Sequence, residues 1–255
     1  MQFRLLAPLL PLLLVVAARP VYACTYSIPV VGRWQTLQVG LDIPPTPVWA
    51  RDLILNASRV WNFAQLWFQR IYSPGGSVYR FVDSSTGNVT ISFGVPPAFA
   101  SIAVGWTEYA FEGATTIVGA HVFLDGNVFG DVGEPNASAL DFGFRIALHE
   151  LGRVLGLGSL IDGLDIMDPV GTVNEATQPP LISLIDLFAL HVLASQPSLP
   201  SSTIVLNTDQ QVVLNAWTLL AQTRPTEITV PSSGPPIGTD KPCLTDSVKY
   251  AACYS

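Results

Sequence analysis

The chain has 255 residues, with 12 basic and 19 acidic side chains and a formal net charge of −7. That length suits one medium domain plus an appendage, and the acidic balance argues against a nucleic-acid-binding surface. Only 12% of the residues are charged, so the water-facing side must rely largely on Ser, Thr, Asn, Gln and backbone groups.

Residues 1–23 read as a secretory signal. Arg4 forms a short basic start, Leu5 to Ala18 is an apolar stretch broken only by prolines, and Val21-Tyr22-Ala23 places small residues at both key cleavage positions. Cleavage after Ala23 removes Arg4 and Arg19 and no acid, which takes the net charge from −7 to −9. No later apolar run reaches the about 20 residues a membrane span needs, so the expected product is secreted and extracellular. Cys24 then becomes the first residue, but Val21 and Tyr22 fit a lipoprotein cleavage box poorly. Cys243 and Cys253 are close enough in sequence to staple the C-terminal tail. Sequons stand at Asn56, Asn88 and Asn136, the first of them inside a predicted helix.

Gln35 to Ile43 alternates as a strand, with Leu37, Val39 and Leu41 on one face. Pro44-Pro45-Thr46-Pro47 ends it, and Thr46 is a candidate N-cap with Pro47 opening a helix. That helix carries Leu53, Ala57, Val60, Ala64, Trp67 and Ile71 at three- or four-residue spacing and stops at Ser73-Pro74-Gly75-Gly76. Strands are expected at Val78 to Val82 and Val89 to Phe93 around the turn Asp83-Ser84-Ser85-Thr86-Gly87. Ile102 to Phe111 and Thr115 to Leu124 are two more. A second helix runs from about Ser138 or Asp141 through Leu155, with Leu140, Phe144, Leu148, Leu151 and Leu155 as its stripe. A third starts at Pro180, with Leu181, Leu184, Ile185, Leu187, Phe188 and Val192 apolar. Strand, helix, four strands, helix, irregular loop and helix together describe an α/β sandwich on a mixed sheet. After Pro197 the composition turns to Ser, Pro and Thr. Residues 198–255 are therefore set apart from a domain at 24–197, as a tail or small β appendage with possible strands at Ile204 to Leu206 and Gln211 to Leu220.

The second helix ends in the segment His149-Glu150-Leu151-Gly152-Arg153-Val154-Leu155-Gly156-Leu157-Gly158-Ser159. It follows the pattern H-E-x-x-H-x-x-G-x-x-H with two histidines replaced. In the intact pattern two imidazoles four residues apart share a helix face and grip one zinc, while the glutamate faces the bound water as general base. The helix then breaks at a glycine, here Gly156, and the returning chain brings a third histidine. Arg153 and Ser159 occupy the second and third ligand positions. A guanidinium about 5 Å from a dication is repelled by about 6 kcal/mol at an effective dielectric near 20, and it cannot become a ligand. Arg153 is expected instead to pair with Glu150 three residues before it. Asp162, Asp165 and Asp168 cluster after the break and admit two readings: oxygen ligands for a hard cation such as calcium, or turn chemistry in a polar loop. His121 and His191 read as ordinary histidines of a strand and a helix. Gly156-Leu157-Gly158-Ser159-Leu160 does not match the nucleophile-elbow pattern G-x-S-x-G.

These residues resemble the matrixin-like metzincin metallopeptidases. Asp165-Ile166-Met167-Asp168-Pro169 is similar to that family's Met-turn, Phe81 to Phe93 to its second and third strands, and Pro180 to Leu187 to the start of its last helix. The resemblance covers roughly residues 34–195. It implies a mixed, mostly parallel twisted sheet with three helices, in which the active-site helix is followed by a Met-turn at Met167. It also implies a zinc cofactor held by His149, with Glu150 as catalytic base. With Arg153 and Ser159 at the other ligand positions, the expected function is a secreted homologue with impaired or lost peptidase activity that binds a peptide or protein in the former cleft, with Ile102 to Phe111 as the docking strand. The alternatives are an active zinc endopeptidase with non-standard ligands and Glu150 as base, and a structural cell-surface module.

Overall fold

The computed structural model describes residues 27–45, 47–94, 104–129, 136–159, 165–168, 182–197 and 203–205. The signal segment, Cys24, Asp162, Pro180 and the chain beyond Val205, including Cys243 and Cys253, lie outside them.

Apolar residues at every second position make the sheet. Strands β3 (Gln38–Asp42), β5 (Val89–Gly94) and β7 (Thr116–Asp125) bury Val39, Leu41, Val89, Ile91, Val122 and Leu124 almost completely. β3 pairs in parallel with β4 (Arg80–Asp83) on one side and with β5 on the other, and β5 pairs in parallel with β7. β2 (Arg33–Trp34) adds a short parallel pairing to the start of β7. β6 (Gly105–Glu112) runs antiparallel to β7 and is the one antiparallel member of this six-stranded sheet. The fold is mixed α/β with a mostly parallel sheet. The strands at Gln35 to Ile43 and Ile102 to Phe111 are shorter than expected, and residues 102 and 103 lie outside the described set. Leu37 precedes β3 and is exposed, so it does not join Val39 and Leu41.

Helix α1 (Val48–Tyr72) buries Leu53, Ala57, Val60, Trp61, Ala64 and Phe68. Trp67 and Ile71 are only partly buried. The buried face of this helix is centred on Ala50, Ile54, Trp61 and Phe68, and at about 3.6 residues per turn Trp67 and Ile71 fall at its margin. The Trp61 indole Nε1 donates to Leu148 O at 2.9 Å, which ties α1 to helix α3 (Ala137–Val154). Along β4, the Asn62 amide donates to Phe81 O at 2.9 Å while Phe81 N donates to Asn62 Oδ1 at 2.8 Å. One side chain thus covers part of an edge that would otherwise present unpaired backbone groups.

A single-turn helix, α2 (Gly126–Phe129), follows β7 and makes a fourth helix among the described residues, where three were expected for the domain. Asn136 caps α3, its Oδ1 accepting from Ala139 N at 2.9 Å. Helix α4 (Leu184–Ser195) starts four residues later than the expected Pro180. The physical reason is its cap: Ser183 Oγ accepts from Asp186 N and Asp186 Oδ2 accepts from Ser183 N, a reciprocal box that fixes the first turn. No helix among the described residues is long and apolar enough to cross a membrane.

A separate two-stranded pairing joins the ends of the described chain. β1 (Ser27–Pro29) runs antiparallel to β8 (Thr203–Val205), and Ile28 and Ile204 are both buried. The expected tail strand at Ile204 to Leu206 therefore packs on the residues that open the domain.

Because Trp61 is fully buried and hydrogen-bonded, Trp61→Ala is expected to lower unfolding free energy by about 3–5 kcal/mol. Leu66→Ala, at a residue 49% exposed on the same helix, should change it by less than about 0.5 kcal/mol. Urea titrations of the two variants measure the difference.

Candidate functional site

Three of the singled-out side chains lie in the last two turns of α3. The helix ends in a Schellman arrangement: Gly156 N donates to Arg153 O at 2.7 Å and Leu157 N to Gly152 O at 3.2 Å. Gly156 has φ +100°, and a Cβ there would meet Gly32 O at 2.1 Å, so both conformation and space select glycine. The reversed chain is then held against the domain's first residues. Val31 N donates to Gly156 O at 2.8 Å, Gly158 N donates to Pro29 O at 2.9 Å, and Val30 and Leu157 form an antiparallel bridge. This reversal returns Ser159 toward the helix it has just left.

Ser159 meets Arg153. The guanidinium Nη1 donates to Ser159 Oγ at 2.9 Å, and both residues are partly exposed. Arg153 does not pair with Glu150, contrary to expectation; the ion pairs among the described residues are Arg51 with Asp83 and Arg145 with Asp141. The reason is strand β6, which lies over the glutamate. Thr107 Oγ1 donates to Glu150 Oε2 at 2.5 Å, and Gly105 comes so close that a Cβ there would stand 2.8 Å from Glu150 Cγ and Oε1. Glu150 is only 5% exposed. Tyr109, two residues further along β6, donates its hydroxyl to Arg153 O at 3.0 Å. Burial pushes the Tyr109 phenol well up from its usual range; the positive charge of Arg153 opposes the rise and Glu150 adds to it.

His149 is buried, and its Nδ1 donates to Ile166 O at 2.8 Å. The carbonyl can only accept, so the neutral ring carries its lone pair on Nε2. Proteins commonly fix the orientation of a metal-ligating imidazole in this way. Ile166 and Met167 are fully buried beneath α3. A Cβ on Gly152 would lie 2.5 Å from Met167 Sδ and 2.8 Å from Trp61 Cζ2, so the glycine lets helix, methionine and tryptophan close on one another.

The acidic cluster takes the form of turn chemistry at the described positions. Asp165 Oδ1 accepts from Met167 N at 2.7 Å, and Asp168 N donates to Asp165 O at 3.0 Å. Asp165 also lies beside Asp186 at the start of α4. Asp186 is fully buried, and its carboxyl is raised well above the ordinary 3.8, first by burial and then by the neighbouring Asp165 carboxylate; Ser183 opposes the rise.

The remaining histidines have their own partners. His121 Nε2 is 2.9 Å from Ser92 Oγ, and its ring packs on Phe123. His191 lies 3.3 Å from Ser73 Oγ and is lowered by burial. Sequence reasoning found His149, Glu150, Arg153, Ser159, Gly156 and Met167, and the reversal gathers them around the end of α3. It missed Thr107, Tyr109 and Asp186. The signal for the first two was present: Gly105, Thr107 and Tyr109 sit at alternate positions, which puts them on one face of β6.

No protein-family model matches the chain, and no curated protein matches it.

Gly152→Ala is expected to cost about 1–3 kcal/mol through overpacking against Met167, read as a lower urea midpoint with an unchanged slope. A second expectation concerns pH. Because the folded Asp186 carboxyl is raised, the stability its protonated form contributes is fully present below the ordinary value and is lost as pH rises through the folded one. Unfolding free energy measured from pH 4 upward should fall more steeply in the wild type than in Asp186→Asn; equal slopes would contradict the assignment.

Proposed function

We propose that this chain is a secreted, matrixin-like homologue of the metallopeptidases that keeps their scaffold, has lost most of the zinc site, and binds an extended peptide or protein segment along β6. The observation that carries this reading is the 2.9 Å hydrogen bond from Arg153 Nη1 to Ser159 Oγ. The two positions that the family fills with histidines converge as two ligands of one ion would, and here a cation and a hydroxyl satisfy each other instead.

The donor set suits zinc poorly. Catalytic zinc normally takes three protein ligands, and of the three expected positions only His149 offers an imidazole. Arg153 brings a fixed positive charge close to where the ion would sit. Glu150 is turned to Thr107, so its carboxylate is engaged by the protein rather than held ready for a water.

Peptide docking needs less. β6 pairs with β7 on one side, and among the described residues no strand pairs with its other side. An exposed edge offers alternating N–H and C=O groups, and an extended segment can add to it by main-chain hydrogen bonds without a metal.

The competing reading is a working zinc endopeptidase with Glu150 as base. Elemental analysis separates the two: purified protein should contain well under one zinc per chain. Near-stoichiometric zinc surviving mild chelation would refute the proposal. The double substitution Arg153→His with Ser159→His should create zinc binding, because both side chains are already within reach of one point.

A further inference from the structure

We propose that Arg153 is a carboxylate-recognition point beside the edge strand β6, so that the segment bound there is an extended peptide carrying a carboxylate. The proposal rests on the peptide-docking reading above and names the chemistry that reading leaves open.

Among the described residues the guanidinium has no counter-charge: no carboxylate lies within ion-pair distance of Arg153. Its hydrogen-bond partner there is neutral, Ser159 Oγ at 2.9 Å. An arginine has five N–H donors in a planar fork, and one neutral oxygen leaves donors over. The nearest acid in sequence, Glu150, accepts from Thr107 at 2.5 Å beneath the strand and is 5% exposed. Arg153 is the more open of the two, so an incoming anion meets the guanidinium before it meets the glutamate.

The position of Arg153 relative to β6 makes this a peptide site. Tyr109 of β6 donates to the Arg153 carbonyl at 3.0 Å. The arginine is therefore held against the strand at a known register. An added strand would lie about 4.8 Å from β6, with alternate side chains on the face that Gly105, Thr107 and Tyr109 share. Every second side chain of the guest points toward the level of Arg153, and a carboxylate there can take two parallel N–H bonds from the fork. A merely structural role is the competing account: Arg153 sits in the last turn of α3, where a cation stabilises the helix end, and it orders Ser159.

The test uses the full chain after signal cleavage and three extended peptides of one apolar sequence. The first is neutral and amidated, the second is amidated with one central Glu, and the third is neutral with a free C-terminal carboxylate. Calorimetric titration should show the second or the third binding about tenfold or more tighter than the first, the scale of a charge-assisted hydrogen bond. Which one gains tells an acidic side chain from a chain terminus. The gap should close in Arg153→Gln, persist in part in Arg153→Lys, and shrink in the wild type as salt is raised. If Arg153→Gln does not fold, the lysine variant and the salt series carry the same comparison. Equal affinity for all three peptides, or a gap that survives Arg153→Gln in folded protein, overturns the carboxylate role and leaves edge docking standing. Binding of no peptide overturns edge docking, and the carboxylate role with it.

Discussion

The constraint on which the site depends is the reversal at Gly156. A residue with φ +100° and the Gly32 carbonyl pressed against it cannot carry a side chain. Without that turn α3 would have no reason to stop at Val154, and Ser159 would point away from Arg153. The turn is overdetermined, closed by two Schellman bonds and pinned from outside by Pro29 and Val31. The spatial relation between the 153 and 159 positions therefore belongs to the backbone. Whatever side chains stand there are brought together, whether or not they can hold an ion.

Around that fixed point the polar groups are distributed so that each finds a partner. Glu150 takes the Thr107 hydroxyl, His149 gives its Nδ1 hydrogen to Ile166, and Arg153 gives a guanidinium N–H to Ser159 while its carbonyl accepts from Tyr109. Burying a carboxylate costs free energy unless it is hydrogen-bonded, and β6 meets that cost directly. The strand closes over the glutamate on one face while pairing with β7 along one edge.

Much of this was legible in the sequence, and the parts that were not share a cause. Period-two and period-3.6 patterns located the long elements, because burial of Val39, Leu41, Leu53, Leu148 and Leu151 follows from local spacing alone. Gly156 marked the break. Two-residue and three-residue strands such as β1 and β2 carry too little pattern to be seen. The end of the α1 stripe was misread because the expected positions run along one border of the buried face, which is centred on Ala50, Ile54, Trp61 and Phe68, so Trp67 and Ile71 fall at its margin. The partner of Arg153 was misassigned because spacing along a helix says which groups can meet, and says nothing of a strand from elsewhere that supplies a better partner to one of them. Thr107 and Asp186 act across 43 residues and between two loop-linked elements, distances at which only the tertiary fold speaks.

The pairing of β1 with β8 links the periphery to this centre. Pro29, the last residue of β1, is the same residue whose carbonyl receives Gly158 N, and Val30 beside it bridges Leu157. A strand drawn from beyond residue 197 is therefore the outer buttress of the wall against which the reversal leans. The division of the chain at 197 follows composition, yet residues 203–205 brace β1, and through Pro29 and Val30 they stand behind the turn at Gly156.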